Sequence, residues 1–260
     1  MFDLFDQAFL IKLVLSFLVS GAWAVFALKI AEKTGTKLGS IILSLPSTTL
    51  FALLFIGWIQ GMDAVAQAAS VSLGMIGIVA MFLLIFVKLL DRFKLSALLF
   101  SILAWFVLSV ILLHLSLGIF QSFLAGVLLF IVSFIALRSI KSKTTKIEST
   151  DMQMLTRFML VGSLVSISII ISKLAGPQWG GVFATFPAMF ASSLYVSYNA
   201  YGIKFTKAMA ANTTYAFPGF FTYVLGVYFL YPICGLVLGT ILSFIISLIT
   251  IYIFNLIFKR

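Results

Sequence analysis

The sequence predicts an all-α polytopic membrane protein with about nine transmembrane helices, arranged as a 4+1+4 inverted-topology repeat with broken helices 2 and 7. Three observations lead to this prediction. Of the 260 residues, 63% are hydrophobic and 9% are charged, whereas soluble domains contain about 25% charged residues. Basic residues collect on one face of the predicted topology. Residues that determine backbone conformation, mainly glycine and proline, occur again later in the chain after a constant number of positions, the same number that separates residue 17 from residue 158.

Apolar segments alternate with short polar stretches along the whole chain. A helical span needs about 20 apolar residues, and the runs 75–90 and 235–258 are apolar on every face, unlike the alternating strands of a membrane β-barrel. Asp3 and Asp6 stand where a signal peptide would carry lysines, so the first segment is interpreted as a retained span. The predicted spans are 8–31, 38–60, 64–89, 95–114, 117–138, 153–174, 178–200, 204–229 and 231–257.

The distribution of basic residues predicts the orientation of these spans. An odd number of spans places the termini on opposite faces. Fifteen of the 17 Lys and Arg residues then share a face with the C-terminus, and only Lys12 and Lys173 lie on the other. Because basic residues favour the cytoplasmic side, we expect the N-terminus outside and the C-terminus in the cytoplasm. This topology, together with attraction to anionic membrane lipid, accounts for the net charge of +10 without a nucleic-acid partner.

The constant offset, called here the repeat offset, superimposes one half of the sequence on the other and carries span 1 onto span 6. A displacement by five spans is odd, so the copies would cross the membrane in opposite directions, as in many secondary transporters. The predicted units are 1–115, the first four-helix repeat; 116–152, a linking helix and cytoplasmic loop; and 153–260, the second repeat. A duplication kept only for packing, in a channel or scaffold, is the alternative. The matched pairs are Phe17/Phe158, Gly21/Gly162, Gly35/Gly176, Gly39/Gly180, Pro46/Pro187, Leu53/Leu194 and Gly61/Gly202.

Pro46 and Pro187 lie about eight residues into spans 2 and 7, close to the middle of the bilayer. Each proline removes one helical hydrogen bond and frees the carbonyl four residues earlier, which belongs to Ile42 or Phe183. The two new helix N-termini would face each other and suit an anionic or hydroxyl-rich solute. Simple proline kinks are the alternative interpretation.

Hydroxyl and amide side chains near these prolines complete the candidate site. In span 8 the polar tripeptide 212–214 precedes Pro218, which frees the carbonyl of Thr214. A partner helix could equally satisfy the amide of Asn212. The candidate substrate-binding residues are Ser44, Pro46, Ser47, Thr48, Thr49, Thr185, Pro187, Ser192, Asn212, Thr213 and Thr214.

Several function classes are disfavoured by what the sequence lacks. Cys234 and His114 are its only cysteine and histidine, which excludes a CxxC motif and a histidine-based metal cluster. There is no phosphate-binding GxxxxGK[ST] loop and no carboxylate deep within a span, so neither intrinsic ATP hydrolysis nor proton coupling through a buried acid is expected. The sequence therefore predicts neither an enzyme nor a bound cofactor or metal.

Two segments resemble the small bacterial GlpM-like (YdgC-like) inner-membrane family, whose members have about four spans. The first runs from Lys37-Leu-Gly39 through Leu45-Pro46-Ser-Thr-Thr-Leu50 to Gly61, and the second from Trp179-Gly180-Gly181 through Thr185-Phe186-Pro187-Ala to Gly202. The first copy lacks the Phe before proline. The resemblance implies a fused, inverted double of that unit in a prokaryotic inner membrane, and it implies no substrate.

The favoured function is a secondary transporter, or permease, for a small solute or ion, working by alternating access around Pro46 and Pro187. The alternatives are a channel or lipid-translocating protein with the same repeats, and a membrane accessory factor without transport. Membrane lipid and the solute are the expected partners, and a homodimer stays open.

Overall fold

A computed structural model describes residues 6–33, 47–140 and 150–258. This part of the chain contains no strand, which confirms the all-α class. A short 3-10 helix, Thr214–Ala216, connects the last two α-helices. The α-helices are α1 (Gln7–Lys33), α2 (Ser47–Gln60), α3 (Met62–Phe93), α4 (Ser96–His114), α5 (Ile119–Leu137), α6 (Asp151–Ala175), α7 (Pro177–Ala184), α8 (Ala188–Thr213) and α9 (Phe217–Phe258).

Side-chain caps mark the first residue of the leading helix in each half. The Asp6 carboxylate accepts a 2.8 Å hydrogen bond from the Phe9 amide at the start of α1. At the start of α6, the Thr150 hydroxyl accepts from the Gln153 amide and the Gln153 side chain accepts from the Thr150 amide. These bonds satisfy amides that have no partner within a helix.

Six stretches of the described residues are long and apolar enough to cross a membrane, by length and composition. The sequence predicts nine spans, and the difference has two sources. The last three predicted spans lie in one stretch of 82 residues, Pro177–Phe258, and the described part of span 2 is the 14-residue α2.

The long C-terminal stretch folds back on itself at two glycines. Gly202 has φ 75° and Gly235 has φ 74°, both in the left-handed region that glycine tolerates. Across Gly202, the hydroxyls of Ser197 and Thr206 lie 3.2 Å apart. Across Gly235, Tyr231 packs against Gly239. Helices α8 and α9 are therefore each two antiparallel segments joined at a glycine.

The first half of the chain reverses direction at the two places that correspond to these glycines. Gly61, between α2 and α3, has φ 95°, and Lys94, between α3 and α4, has φ 52°. The repeat offset carries Gly61 onto Gly202 and Lys94 onto Gly235. In addition, α2 corresponds to positions 188–201, the segment of α8 that precedes Gly202. The described reversals of the two halves thus fall at positions related by the repeat offset.

The two copies meet through α1 and α6, which pack closely at paired positions. A methyl group placed on Gly21 would lie 2.8 Å from the Phe158 ring, and one on Gly162 would lie 2.8 Å from the Phe17 ring. The rings of Phe17 and Phe158 contact each other edge to face.

The direction of this helix pair follows from its ends. Lys173, near the end of α6, has its Nζ 3.9 Å from the ring centre of Phe9, near the start of α1. Because this contact lies about three helical turns from the glycine contacts on each helix, α1 and α6 run antiparallel.

Helix α5 joins the copies and packs against both of them. On one side, Gly77 of α3 and Gly126 of α5 bring the two backbones into contact, as small residues allow. On the other side, Phe130 and Phe134 of α5 contact aromatic rings of the second copy, including Phe217. The linking helix is therefore part of the core.

Candidate functional site

The helix predicted to break at Pro187 is interrupted there. Helix α7 ends at Ala184 and α8 begins at Ala188. Proline has no amide hydrogen and cannot continue the hydrogen-bond ladder. The carbonyl of Phe183, which the sequence predicts to be freed, accepts instead from the Phe186 amide at 3.1 Å. A tighter turn has thus replaced the lost helical bond.

The first copy supplies a hydrogen bond to this break. The buried Thr49 hydroxyl, in the first turn of α2, donates to the Ala184 carbonyl at 3.0 Å. One turn earlier in α7, the Ser72 hydroxyl of α3 lies 3.2 Å from the Gly181 carbonyl, while its main acceptor is Ala68 at 2.8 Å. Carbonyls at the end of α7 are therefore satisfied by hydroxyls that come from the other half of the sequence.

Thr185 lies within the break and is also committed to the backbone. Its buried hydroxyl donates to the Val182 carbonyl at 2.8 Å. Thr49 and Thr185 thus both stabilise the interrupted helix in this conformation. Neither hydroxyl is free to bind a solute without giving up a buried hydrogen bond, which would cost about 1–3 kcal/mol.

An aromatic contact that the sequence did not predict packs against the break. Trp105 of α4 is 2% exposed, and its ring meets that of Phe186 edge to face at 5.0 Å. Among the described residues, its indole nitrogen has no hydrogen-bond partner. The only signal for Trp105 in the sequence is a tryptophan in the middle of an otherwise aliphatic and phenylalanine-rich span.

The remaining hydroxyls of the candidate site are half-buried. Ser47 and Thr48 lie in the first turn of α2, and Ser192 lies in the second turn of α8. Ser44 and Pro46, the other candidates in the first copy, fall outside the described residues. The predicted break at Pro46 therefore stays a prediction.

The polar tripeptide 212–214 lies where α8 changes into a 3-10 helix. The Thr213 and Thr214 hydroxyls donate to the carbonyls of Met209 and Ala211. The carbonyl of Thr214, predicted to be freed by Pro218, accepts from the Phe217 amide in the 3-10 turn. The half-buried amide of Asn212 has no hydrogen-bond partner within the described residues.

An aromatic stack connects this segment to the break. The ring of Phe190, in the first turn of α8, stacks on that of Phe217 with centres 6.3 Å apart. Phe217 directly follows the 3-10 helix. The structure thus places the start of α8 against the residue that follows the 3-10 helix.

Two polar contacts between the copies lie towards the ends of the helices, away from the break. At one end, Lys207 of α8 forms an ion pair with Asp91 of α3, which links the two copies. At the opposite end, Ser172 of α6 donates to the Gln60 side chain, which in turn donates to the Ile169 carbonyl. No group of three metal-ligating side chains occurs within the described ranges.

Comparison with known proteins identifies a family for both halves of the chain. A family described as "Protein of unknown function (DUF3147)" matches residues 13–118 and again residues 154–258. The starting positions of the two matches differ by the repeat offset found in the sequence. No curated protein and no solved structure matches the chain. The name GlpM-like is not the one attached to this match. The chain belongs to the DUF3147 family and contains two copies of its unit.

Proposed function

We propose that this protein crosses a prokaryotic inner membrane nine times, with the N-terminus outside and the C-terminus in the cytoplasm. The reversals at Gly202 and Gly235 support three spans within the 82-residue stretch. The Asp91–Lys207 pair supports the common face assigned to the loops after spans 3 and 7. The motif similarity to the GlpM-like family is in accord with this location.

We further propose that the two copies are inserted in opposite directions. The antiparallel packing of α1 and α6, corresponding helices under the repeat offset, supports this arrangement. A single span, α5, between two four-span copies would give the second copy the opposite orientation. Such repeats recur in secondary transporters, whose sites lie near the midplane between the repeats.

The function that fits these features best is a secondary transporter for a small anionic or hydroxyl-rich solute, working by alternating access. One observation carries the proposal: the broken helix of the second copy is hydrogen-bonded at its break by Thr49 of the first. Interrupted helices at an interface between repeats are the usual place for a transport site.

Inter-copy contacts at both ends of the bundle support the same mechanism. The Asp91–Lys207 ion pair closes one end, and the Gln60–Ser172 hydrogen bond closes the other. A rocking motion of one copy against the other would open these contacts alternately. The state described here, with both contacts formed, would be the occluded one.

A membrane accessory factor without transport is the second candidate. The committed hydroxyls of Thr49 and Thr185 favour it, because a purely structural break needs just such bonds to the backbone. A channel or lipid-translocating protein could use the same two copies, and its flux would have a different concentration dependence.

Flux into proteoliposomes tests the proposal. Purified protein would be reconstituted and uptake of radiolabelled phosphate, glycerol and glucose compared with protein-free vesicles. A carrier gives saturable uptake that internal unlabelled solute accelerates, whereas linear uptake indicates a channel. Uptake of all three solutes equal to that of empty vesicles would count against the transporter and favour the accessory factor. If Pro46→Ala and Pro187→Ala together leave the flux unchanged, the site assignment is wrong.

A further inference from the structure

An open groove of about 590 Å³ separates α1 from the second half of α9, and α2 forms its floor. This volume lies within the range of about 300–1,000 Å³ typical of small-molecule sites. The floor is buried, since Phe51 is 7% exposed, whereas Val19 on one rim is 45% exposed and Ile245 on the other is 46% exposed. The groove therefore opens sideways, away from the bundle.

Aromatic rings line the groove around Trp23 of α1. The ring centres of Phe51 from α2 and Phe244 from α9 each lie 5.9 Å from that of Trp23. Residues of both copies thus form this cluster of three rings, called here the aromatic wall. Under the repeat offset the same three positions are occupied by Leu164, Ser192 and Leu103. The aromatic wall therefore has no counterpart at the positions related to it by the repeat offset, and the repeat alone does not generate it.

The groove lacks groups that would hold a polar ligand. Among the described residues, Thr240 is the one polar residue that lines it apart from Trp23 with its indole nitrogen. The Thr240 hydroxyl is already bonded to the Tyr231 hydroxyl and to the Leu236 carbonyl, each at 2.7 Å. The Trp23 indole nitrogen is buried beneath the surface and has no partner among the described residues. No charged side chain lines the groove within the described part of the chain, so its chemistry suits a hydrocarbon chain.

Size and depth identify the kind of hydrocarbon. A helix with side chains is about 10 Å across, so the groove would hold only about one and a half turns of a partner helix. Trp23 lies between the two ends of α1, about 24 Å along the helix from Gln7 and about 15 Å from Lys33, so it is well inside the membrane from either side. At that depth a lipid headgroup does not reach, but its tail does.

We propose that this groove binds an acyl chain of a membrane lipid and that Trp23 contacts this chain. The proposal rests on the membrane location given under the proposed function, but it does not require transport. Because the groove lies between helices of both copies, a bound chain would be part of the junction between them.

Fluorescence quenching tests the proposal in the full-length protein. Trp58, Trp105 and Trp179 would be replaced by Phe so that Trp23 is the single emitter. The protein would be reconstituted into phosphatidylcholine vesicles with or without bromine in the middle of the acyl chains. We expect brominated chains to remove at least half of the Trp23 emission, because bromine quenches indoles only at short range.

A groove-filling variant and a matched control make the test specific. Ala22→Phe would fill the groove and should restore most of the emission, and Ala136→Phe, on the exposed face of α5 outside the groove, should restore none. Unchanged Trp23 emission in brominated vesicles would overturn the proposal, and so would equal quenching in the two variants.

Two further measurements keep the result interpretable. If the triple Phe substitution prevents folding, native mass spectrometry of the protein with all four tryptophans would compare lipid retained by Ala22→Phe and Ala136→Phe; equal retention overturns the proposal. Failure of the protein to float with vesicles would remove the membrane location and the groove together. Quenching without solute flux would leave the groove standing and reject transport.

Discussion

At the scale of single residues, the helix break receives a hydrogen bond from Thr49 of the other copy. The Thr49 hydroxyl donates to the Ala184 carbonyl in a buried setting, whereas the hydroxyl of the neighbouring, half-buried Thr48 makes no hydrogen bond within the described residues. The two threonines are adjacent, in the same turn of the same helix. Substituting each of them in turn therefore distinguishes the effect of the hydrogen bond from the effect of losing a threonine side chain.

We expect Thr49→Val to destabilise the protein by about 1–3 kcal/mol, because it leaves a buried carbonyl without a partner. Thr48→Val should change the stability by less than about 0.5 kcal/mol. Equilibrium unfolding in mixed detergent micelles measures both. Equal losses in the two variants would show that the hydrogen bond to Ala184 does not stabilise the fold.

Gly21 and Gly162 make a second residue-scale prediction, since each lies against a phenylalanine ring and backbone oxygen of the other copy. Gly21→Ala and Gly162→Ala should each lower the stability by about 1–3 kcal/mol through overpacking. Gly118→Ala is the matched control, because the nearest atom to its added methyl lies 3.7 Å away. Thermal denaturation in detergent would compare the three, and a control variant as unstable as the others contradicts the packing argument.

At the scale of elements, the reversal after α3 carries strain that its counterpart avoids. Lys94 has φ 52° and ψ −134°, a backbone region that is essentially restricted to glycine. The corresponding residue of the second copy is Gly235, with φ 74°. Both turns reverse the direction of the chain, but only the second has glycine, the residue type that tolerates a positive φ.

Lys94→Gly should therefore stabilise the protein by about 1 kcal/mol, and Gly235→Ala should destabilise it by at least that amount. The opposite signs are the informative result, because the two substitutions fall at corresponding positions of the two copies. Differential scanning calorimetry of the two variants checks the prediction. A lower melting temperature for Lys94→Gly would mean that the lysine side chain contributes more than its strained backbone costs.

Sequence patterns were a good guide to the elements and a poor guide to their contacts. The predicted spans 95–114 and 153–174 differ by at most two residues at each end from α4 and α6, because apolar runs and polar caps are local features. The interruption at Pro187 was predicted for the same reason. The bond from Thr49 to Ala184 joins two distant parts of the sequence, so no local pattern predicts it.

For the candidate site, too, the sequence predicted which residues lie near the helix breaks but did not predict their contacts. The sequence identified Thr185 and Thr214 as hydroxyls near a proline, and both lie beside interrupted helices. It did not indicate that these hydroxyls are used by their own backbone. Trp105 and the groove around Trp23 were missed, because a tryptophan within an apolar span looks the same whether it faces lipid or a neighbouring helix.

At the scale of the whole molecule, the orientation of α5 decides the topology. Ser116 precedes this helix and Ser139 follows it, and both are exposed. Each can therefore be replaced by a cysteine that a labelling reagent reaches. In a protein with Cys234 replaced by Ser, a membrane-impermeant maleimide applied from outside should label Ser116→Cys and spare Ser139→Cys until the membrane is opened. Equal labelling of the two from outside would contradict the proposed orientation.

The contact between α1 and α6 has a consequence for how such a protein assembles and diverges. Two separate chains that paired through these helices would have to find each other, and the yield would depend on their abundance. Joining them through α5 makes the pairing intramolecular, at an effective concentration fixed by the linker. In a joined chain each half also occupies only one of the two positions in the pair, so one half can acquire residues that the other lacks. The tryptophan and phenylalanines at 23, 51 and 244 have no aromatic counterparts in the other copy, a difference that covalent linkage permits.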